Sequence, residues 1–392
     1  MRTLSVLLLS AGLVLAQPNR LTPQEVADGW ILLFDGETTF GWTAEGGAVW
    51  KVADGALAAD GSAAGWLRTN SEFADFVLKA EFRTAADGNS GIFLRSARQG
   101  APHETGYELQ IFDNQPAGFH TGSLVNHLKA KKPVRIKDSQ WMSYEVEVQG
   151  NHFLVKLDGE TVLYGRDNKS RVGHIGLQIN KEKPVQFRNL KLRPLGLQPL
   201  FNGKNLKGWL EVDAPKPKEK PVWTVTNGMI HVEKGPGQLE SERAFQDFVL
   251  QLDIRTNPQS PDHHPNSGVF FRGLPKTFWS GYEAQIRNEF KNNDRTQPHD
   301  FGTGGLYHYQ PARRVVPNDG EFFTMTVLAR GRHLATWVNG YPTADWEDTR
   351  PEGTNARKEA VTLPGVFSLQ AHDPTTNLDF KNLRVAELPK GN

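Results

Sequence analysis

Along most of the chain, apolar and polar residues alternate over five to eight positions, rich in Val, Ile, Phe and Tyr and closed by Asn-Gly, Asp-Gly or Gly-Asn. A period of two marks strands with one buried face, and those closing pairs are hairpin signals. Asp247 to Arg255 is such a strand, as is Thr324 to Leu328, which turns near Arg330-Gly331-Arg332. His333 to Val338 turns at Asn339-Gly340, and Asp158-Gly159 reads as another hairpin tip. Only Pro23 to Asp28 reads as a convincing short helix, with Thr22 as its cap and Pro23 in its first turn. The pattern predicts an all-β chain.

The pattern also repeats. LFDGETTFGW from Leu33 returns as LFNGKNLKGW from Leu200, and FADFVLKAEFRT from Phe73 returns as FQDFVLQLDIRT from Phe245. GNSGIFLR from Gly88 matches PNSGVFFR from Pro265, and TGYELQIFDN from Thr105 matches SGYEAQIRNE from Ser280. TGSLV from Thr121, GHIGLQIN from Gly173 and VQFRNLKL from Val185 return as TGGLY, GVFSLQAH and LDFKNLRV. Blocks recurring in one order mark a tandem duplication. The sequence places a first domain at 22–195 and a second at 198–388, with Arg193 to Gly196 as a hinge, each an antiparallel β-sandwich. The second copy carries insertions at Asp213 to Lys220, Asn257 to Pro265 and Arg350 to Val361, for which solvated loops are the commoner outcome.

Strand parity sorts the side chains. Tyr282, Ala284 and Ile286 face one way, Glu283 and Gln285 the other; Leu369 and Ala371 oppose Gln370 and His372; Val269 and Phe271 oppose Phe270 and Arg272. Three strands thus predict a polar face carrying Arg272, Glu283, Gln285, Gln370 and His372. Copy one offers Arg95, Glu108, Gln110, Gln178 and Asn180 at the matching places. Ordinary outward faces drift between copies, as Lys79 against Gln251 does, so the retention of four side chains of five points to a pocket. Gln, Arg, Glu and aromatic groups on a sheet suit sugar hydroxyls, which need paired donors and acceptors.

Composition narrows the chemistry. Lys and Arg number 45 against 44 Asp and Glu, with no basic run, which argues against a nucleic-acid partner. There is no cysteine, so disulfides, thiolate nucleophiles and Cys-bound metals are excluded, and a metal would need His, carboxylate or amide oxygen. Met1-Arg2-Thr3 and the apolar run Leu4 to Leu15 read as an export signal cut after Ala16, too short for a membrane span. The expectation is a periplasmic or secreted protein that does not span a membrane. No G-x-S-x-G, H-E-x-x-H or P-loop pattern occurs, nor the paired-carboxylate strand motif of sandwich glucanases, and no nucleotide or redox cofactor is expected. His263-His264 beside Asp262 reads as a solvated loop rather than a metal cluster.

Taken together, NSGVFFR, GYEAQI, GTGGLY, the Asn-Gly hairpin and SLQAHDPTTNLDFKNLRV resemble the 3-keto-disaccharide hydrolase domain family, over nearly all of both repeats. The resemblance implies two tandem concanavalin A-like jelly-roll sandwiches, exported and acting on glycosides oxidised to a ketone at sugar C3. Such a ketone acidifies the C2 hydrogen, so a base can form an enediolate that expels the aglycone from C1, with water adding afterwards. That chemistry asks for a base and for an electrophile at the ketone oxygen, either a divalent metal of unspecified identity or a donor such as Arg.

Side-chain chemistry assigns His372 as the base, Glu283 as metal ligand or second base, and Arg272, Gln285 and Gln370 to hydroxyls or the developing oxyanion. Tyr307 is added from the loop Tyr307-His308-Tyr309 as a substrate contact, with Arg95, Glu108, Gln110 and Gln178 in copy one. Asn180 stands where copy two has His372, and an amide is no proton acceptor, so copy two is expected to be the active one unless His120 or His127 serves copy one. The rival expectation is a carbohydrate-binding sandwich without turnover, and close contact between the two domains is expected in either case.

Overall fold

In the computed structural model, which describes residues 17–132, 134–260 and 262–391, each repeat is a sandwich of two antiparallel sheets. The expected export segment, 1–16, lies outside the described residues. In the first repeat an eight-stranded sheet faces a five-stranded one ordered Trp42–Gly46, Gly65–Phe73, Gly173–Ile179, Ser90–Ser96, Tyr107–Ile111. The second repeat copies it, its smaller sheet ordered Trp209–Asp213, Gly237–Phe245, Gly365–Ala371, Ser267–Gly273, Tyr282–Ile286. The all-β, tandem-sandwich class read from the sequence is the class observed.

Local signals act where they were read. Thr22 Oγ1 accepts from Glu25 N at 3.1 Å and the Glu25 carboxylate accepts from Thr22 N at 3.0 Å, a capping box that starts the helix Pro23–Ala27. A second short helix, Pro102–Thr105, lies in a loop that carries no strong helix signal. Asp158-Gly159 and Asn339-Gly340 both take left-handed conformations at hairpin tips, as tight turns there require.

The predicted parity holds for the core: Val269, Phe271, Tyr282, Ala284, Ile286, Leu369 and Ala371 join one apolar cluster. It fails at Arg272. The ladder shifts register between Phe270 and Gly273, and Arg272 takes φ +53°, so a bulge redirects its side chain. The guanidinium, with no exposed surface, donates to the carbonyls of Gln246 at 2.8 Å, Gly331 at 2.6 Å and Val361 at 2.7 Å, and to Asp247 at 3.0 Å. Arg95 repeats the arrangement at φ +53°, donating to the carbonyls of Ala74, Gly150 and Ser170 and to Asp75. Both arginines tie turns together at one end of their sandwich. Neither lies on the polar face, and their recurrence reflects that structural duty.

The two repeats bond to each other. Trp337 Nε1 donates to Leu32 O at 3.0 Å, Arg313 meets Asp35 at 2.7 Å, and Gln251 Nε2 donates to Gly29 O at 2.8 Å. Gln251 is therefore buried against the first repeat, and its divergence from Lys79 is not the drift of an open surface. Among the described residues, no helix is long and apolar enough to cross a membrane.

Candidate active site

On the outer face of the second repeat's smaller sheet, three neighbouring strands set Gln285, Gly268 and Gln370 in a row. Gly268 pairs with Gln285, and the Val269–Leu369 pair next to it fixes the register with Gln370. Gly268 is required there, since a Cβ would come within 2.5 Å of Glu283 Oε1. The notch receives the Glu283 side chain, which is buried. Burial pushes this carboxyl up from its ordinary range, opposed by Arg357, by nearby His372 and by the indole N–H of Trp279.

Arg357 was not foreseen. It lies in the insertion Arg350 to Val361, expected as solvated elaboration, which folds over the sheet. Arg350 pins that loop by donating to Asp348 at 2.7 Å and to the carbonyls of Ala356 at 3.0 Å and Glu359 at 2.9 Å, while the Tyr309 hydroxyl also donates to Ala356 O. Arg357 Nη2 then donates to Glu283 Oε2 at 2.9 Å, and its guanidinium lies 4.7 Å from the Trp279 ring and 5.5 Å from those of Phe270 and Tyr307. Its Nε and Nη1 are buried without a partner, as are Oε1 of Gln285, Oε1 of Gln370 and Oδ1 of Asn266. Such unspent donors and acceptors on one face are what a polyhydroxylated ligand would satisfy.

His372 closes the arrangement. Its Nδ1 contacts Asp373 Oδ2 at 2.8 Å; a carboxylate only accepts, so Nδ1 carries the proton and Nε2 keeps its lone pair. Nε2 lies 3.2 Å from Asn266 Nδ2, which also reaches Asp300, and Asp300 accepts from Gln285 Nε2 at 3.1 Å. His372 holds the Asp373 carboxyl far below its ordinary range despite partial burial, with Thr375 assisting. Tyr307 is raised by burial and by Asp300 and Glu283. Glu283, Gln285, Gln370, His372 and Tyr307 are thus brought together, while Arg272 is not. Asn266, Trp279, Asp300, Arg357 and Asp373 join them from loops and strand ends.

Copy one keeps the row Gln110, Gly91, Gln178 but surrounds it with other contacts. Gln178 Nε2 donates to Glu108 Oε1 at 3.0 Å, and burial, only partly offset by that bond, raises Glu108 to about 7. Gln110 turns its Oε1 onto Ile111 N, and Asn180 bonds Lys181 N. His127 pairs with Asp167 at 3.0 Å and packs on Tyr107, a core residue, on the side away from Glu108; the buried His120 Nδ1 has no partner. His264, in the loop read as solvated, bonds Asp319 at 2.6 Å. Among the described residues, no group of three or more His, Asp or Glu side chains is set to hold a metal ion. Glu283, read as a metal ligand or second base, is ion-paired with Arg357.

A pair of tandem sandwiches, the second with imidazole, carboxyl, guanidinium and amides converging beside aromatic rings, defines a two-domain all-β protein with one such polar site. More particularly, the chain belongs to the family described as the 3-keto-alpha-glucoside-1,2-lyase-like domain, matched twice, at residues 29–193 and 196–386. It is 34% identical over 79 residues to the 3-keto-disaccharide hydrolase of Bacteroides thetaiotaomicron, a match spanning 17% of this chain and 27% of that protein. A structure from Parabacteroides distasonis, provisionally assigned as a glycosyl hydrolase, shares 24% identity over 46% of this chain and 100% of its own, with a TM-score of 0.41. Carbohydrate-binding module CBM66 of Bacillus subtilis shares 16% over 38% of this chain and 94% of its own, with a TM-score of 0.31.

Proposed function

We propose that the second repeat cleaves 3-keto-glycosides or 3-keto-disaccharides by elimination across C2 and C1 followed by hydration, in the periplasm or outside the cell. The observation that carries this reading is the convergence of a His372–Asp373 pair, its unprotonated Nε2 beside the Asn266 amide, with a Glu283–Arg357 pair that has two unspent N–H groups. His372 Nε2 takes the C2 proton. The released electron pair forms the C2–C3 double bond, placing charge on the C3 oxygen, where Arg357 Nε and Nη1 can donate. As the ketone re-forms, the C2 electrons pass to a C1–C2 double bond, the C1–O bond breaks, and the leaving oxygen takes back the proton from His372. Water then adds across that double bond, so that the net reaction is hydrolysis.

Asp373 keeps His372 in the tautomer that can accept. Gln285 and Gln370 offer acceptors to ring hydroxyls, and Tyr307 adds a hydroxyl. Arg357 thereby takes the role first given to Arg272. Copy one, with Asn180 in place of the imidazole and, among the described residues, no guanidinium on Glu108, is proposed as a sugar-binding partner rather than a second catalyst.

The test is aglycone release from a 3-keto-glycoside by the mature chain, with and without added divalent ions. His372→Ala and Arg357→Gln should each lower kcat about a hundredfold or more. A wild-type protein that binds the parent sugar and releases no aglycone under either condition ends the enzyme reading.

A further inference from the structure

Beside the proposed reaction centre, one exposed aromatic side chain is held with unusual care. Trp279 is 46% exposed, although large apolar side chains ordinarily find cover. Its ring carries Arg357 at 4.7 Å, and its indole N–H lies against Glu283, so one edge reaches the reacting groups while a face stays open. Its backbone takes φ +58°, a conformation a bulky residue adopts only where its surroundings impose it.

The neighbouring strand Gly237–Phe245 imposes it. Gln238, buried, accepts from Trp279 N at 2.9 Å through Oε1 and donates to Thr277 O at 3.3 Å. Glu240, also buried, takes Lys276 N on both oxygens, at 2.9 and 3.0 Å. Two buried polar side chains are thus used to hold one surface loop. In copy one the strand register puts Trp66 and Arg68 where Gln238 and Glu240 stand, and Arg68 turns to Glu45, so the clamp belongs to the second repeat alone.

We infer that Trp279 is a stacking shelf for the leaving group, and that the preferred substrates carry a ring with a flat apolar face, aryl or sugar, on the glycosidic oxygen. Gln238 and Glu240 are positioning residues that act through Trp279. A rigid ring beside the scissile bond gains contact only from a leaving group wide enough to cover it. This inference rests on the proposed reaction for its location and its first readout, while binding of unoxidised glucosides gives a readout independent of that reaction.

Turnover of 3-keto-glucosides bearing methyl, phenyl and glucosyl leaving groups gives the ratio of kcat/KM for each ring-bearing substrate to that for methyl. Trp279→Ala should lower that ratio about tenfold, Trp279→Phe should restore most of it, and Gln238→Ala should lower it less, chiefly through KM. The phenyl and glucosyl arms tell an aromatic from a sugar leaving group by which loses more. A ratio unchanged in Trp279→Ala overturns the shelf. If wild type turns over no 3-keto-glycoside, calorimetry with unoxidised methyl and phenyl glucosides decides: a preference for phenyl that Trp279→Ala abolishes supports the shelf, and equal affinities in wild type overturn it.

Discussion

At the scale of single residues, the same carboxyl in two copies shows how the environment sets chemistry. Glu108 and Glu283 occupy matching notches beside Gly91 and Gly268, but only Glu283 has a guanidinium within hydrogen-bond reach. Burial raises Glu108 from 4.5 to about 7. A carboxyl whose folded pKa lies above its unfolded one stabilises the fold fully below pH 4.5 and loses that contribution as pH rises through 7. Near pH 8 the folded protein bears a buried carboxylate whose partner is the Gln178 amide. Glu108→Gln keeps the shape and the bond from Gln178. It should therefore stabilise the first repeat at pH 8 by ~1–3 kcal/mol and change little at pH 4, read from urea midpoints at the two pH values. A variant equally destabilised at both would show that the carboxylate is matched by groups other than Gln178.

At the scale of elements, what the sequence made legible was what strand periodicity controls. Tyr282, Ala284 and Ile286 against Glu283 and Gln285, and Leu369 and Ala371 against Gln370 and His372, stand where a period of two puts them. Arg272 does not, because a bulge adds a residue without changing composition, and nothing in NSGVFFR marks the register shift. Copy-to-copy recurrence misled at that point, since a residue tying turns together recurs as faithfully as one holding a ligand. Arg357 and Trp279 were illegible for another reason: they lie on irregular loops, where no period assigns a face. The bulge makes its own prediction. Arg272→Met leaves three carbonyls without this donor inside the sandwich end and leaves Asp247 to Arg330 and Gly331 N, and should cost the second repeat ~3–5 kcal/mol, measured by denaturation. A stable Arg272→Met protein with lost turnover would return Arg272 to the active site.

At the scale of the whole molecule, a polar space lies between the repeats, away from His372. A cavity of about 710 Å³ there is lined by Arg68, Glu72, His174, Arg330, His333 and Asp345 among others. Its lining binds one repeat to the other: Asn70 to Asp345 at 2.7 Å, Ser71 to His333 at 3.1 Å, Arg330 to Glu72 at 3.1 Å. His174 is buried at this seam with Nδ1 unpartnered and Nε2 3.7 Å from Glu72. Burial holds its pKa below the usual 6.5, helped by Arg68 and His333, while Glu72 and a backbone bond with Thr69 oppose the shift. An imidazole kept neutral by folding stabilises above pH 6.5, and that contribution is lost as pH falls through the folded pKa, because the unfolded chain takes up the proton first. Asp35, which Arg313 grips across the same seam, belongs to a lower window. Burial pushes its carboxyl up, but the N–H groups of Glu37 and Thr38 together with Arg313 outweigh that, so its contribution holds above 3.8 and fails below. Thermal melting followed from pH 8 to pH 3 in Glu108→Gln, where the opposing gain from that carboxyl is absent, should therefore show two separate losses. The first, beginning near pH 6.5, should flatten in His174→Gln, and the second, below pH 4, should survive that substitution unchanged. A Glu108→Gln melting temperature that stays level between pH 7 and pH 5 would mean that His174 is protonated at the seam without cost, with Glu72 as its counter-charge.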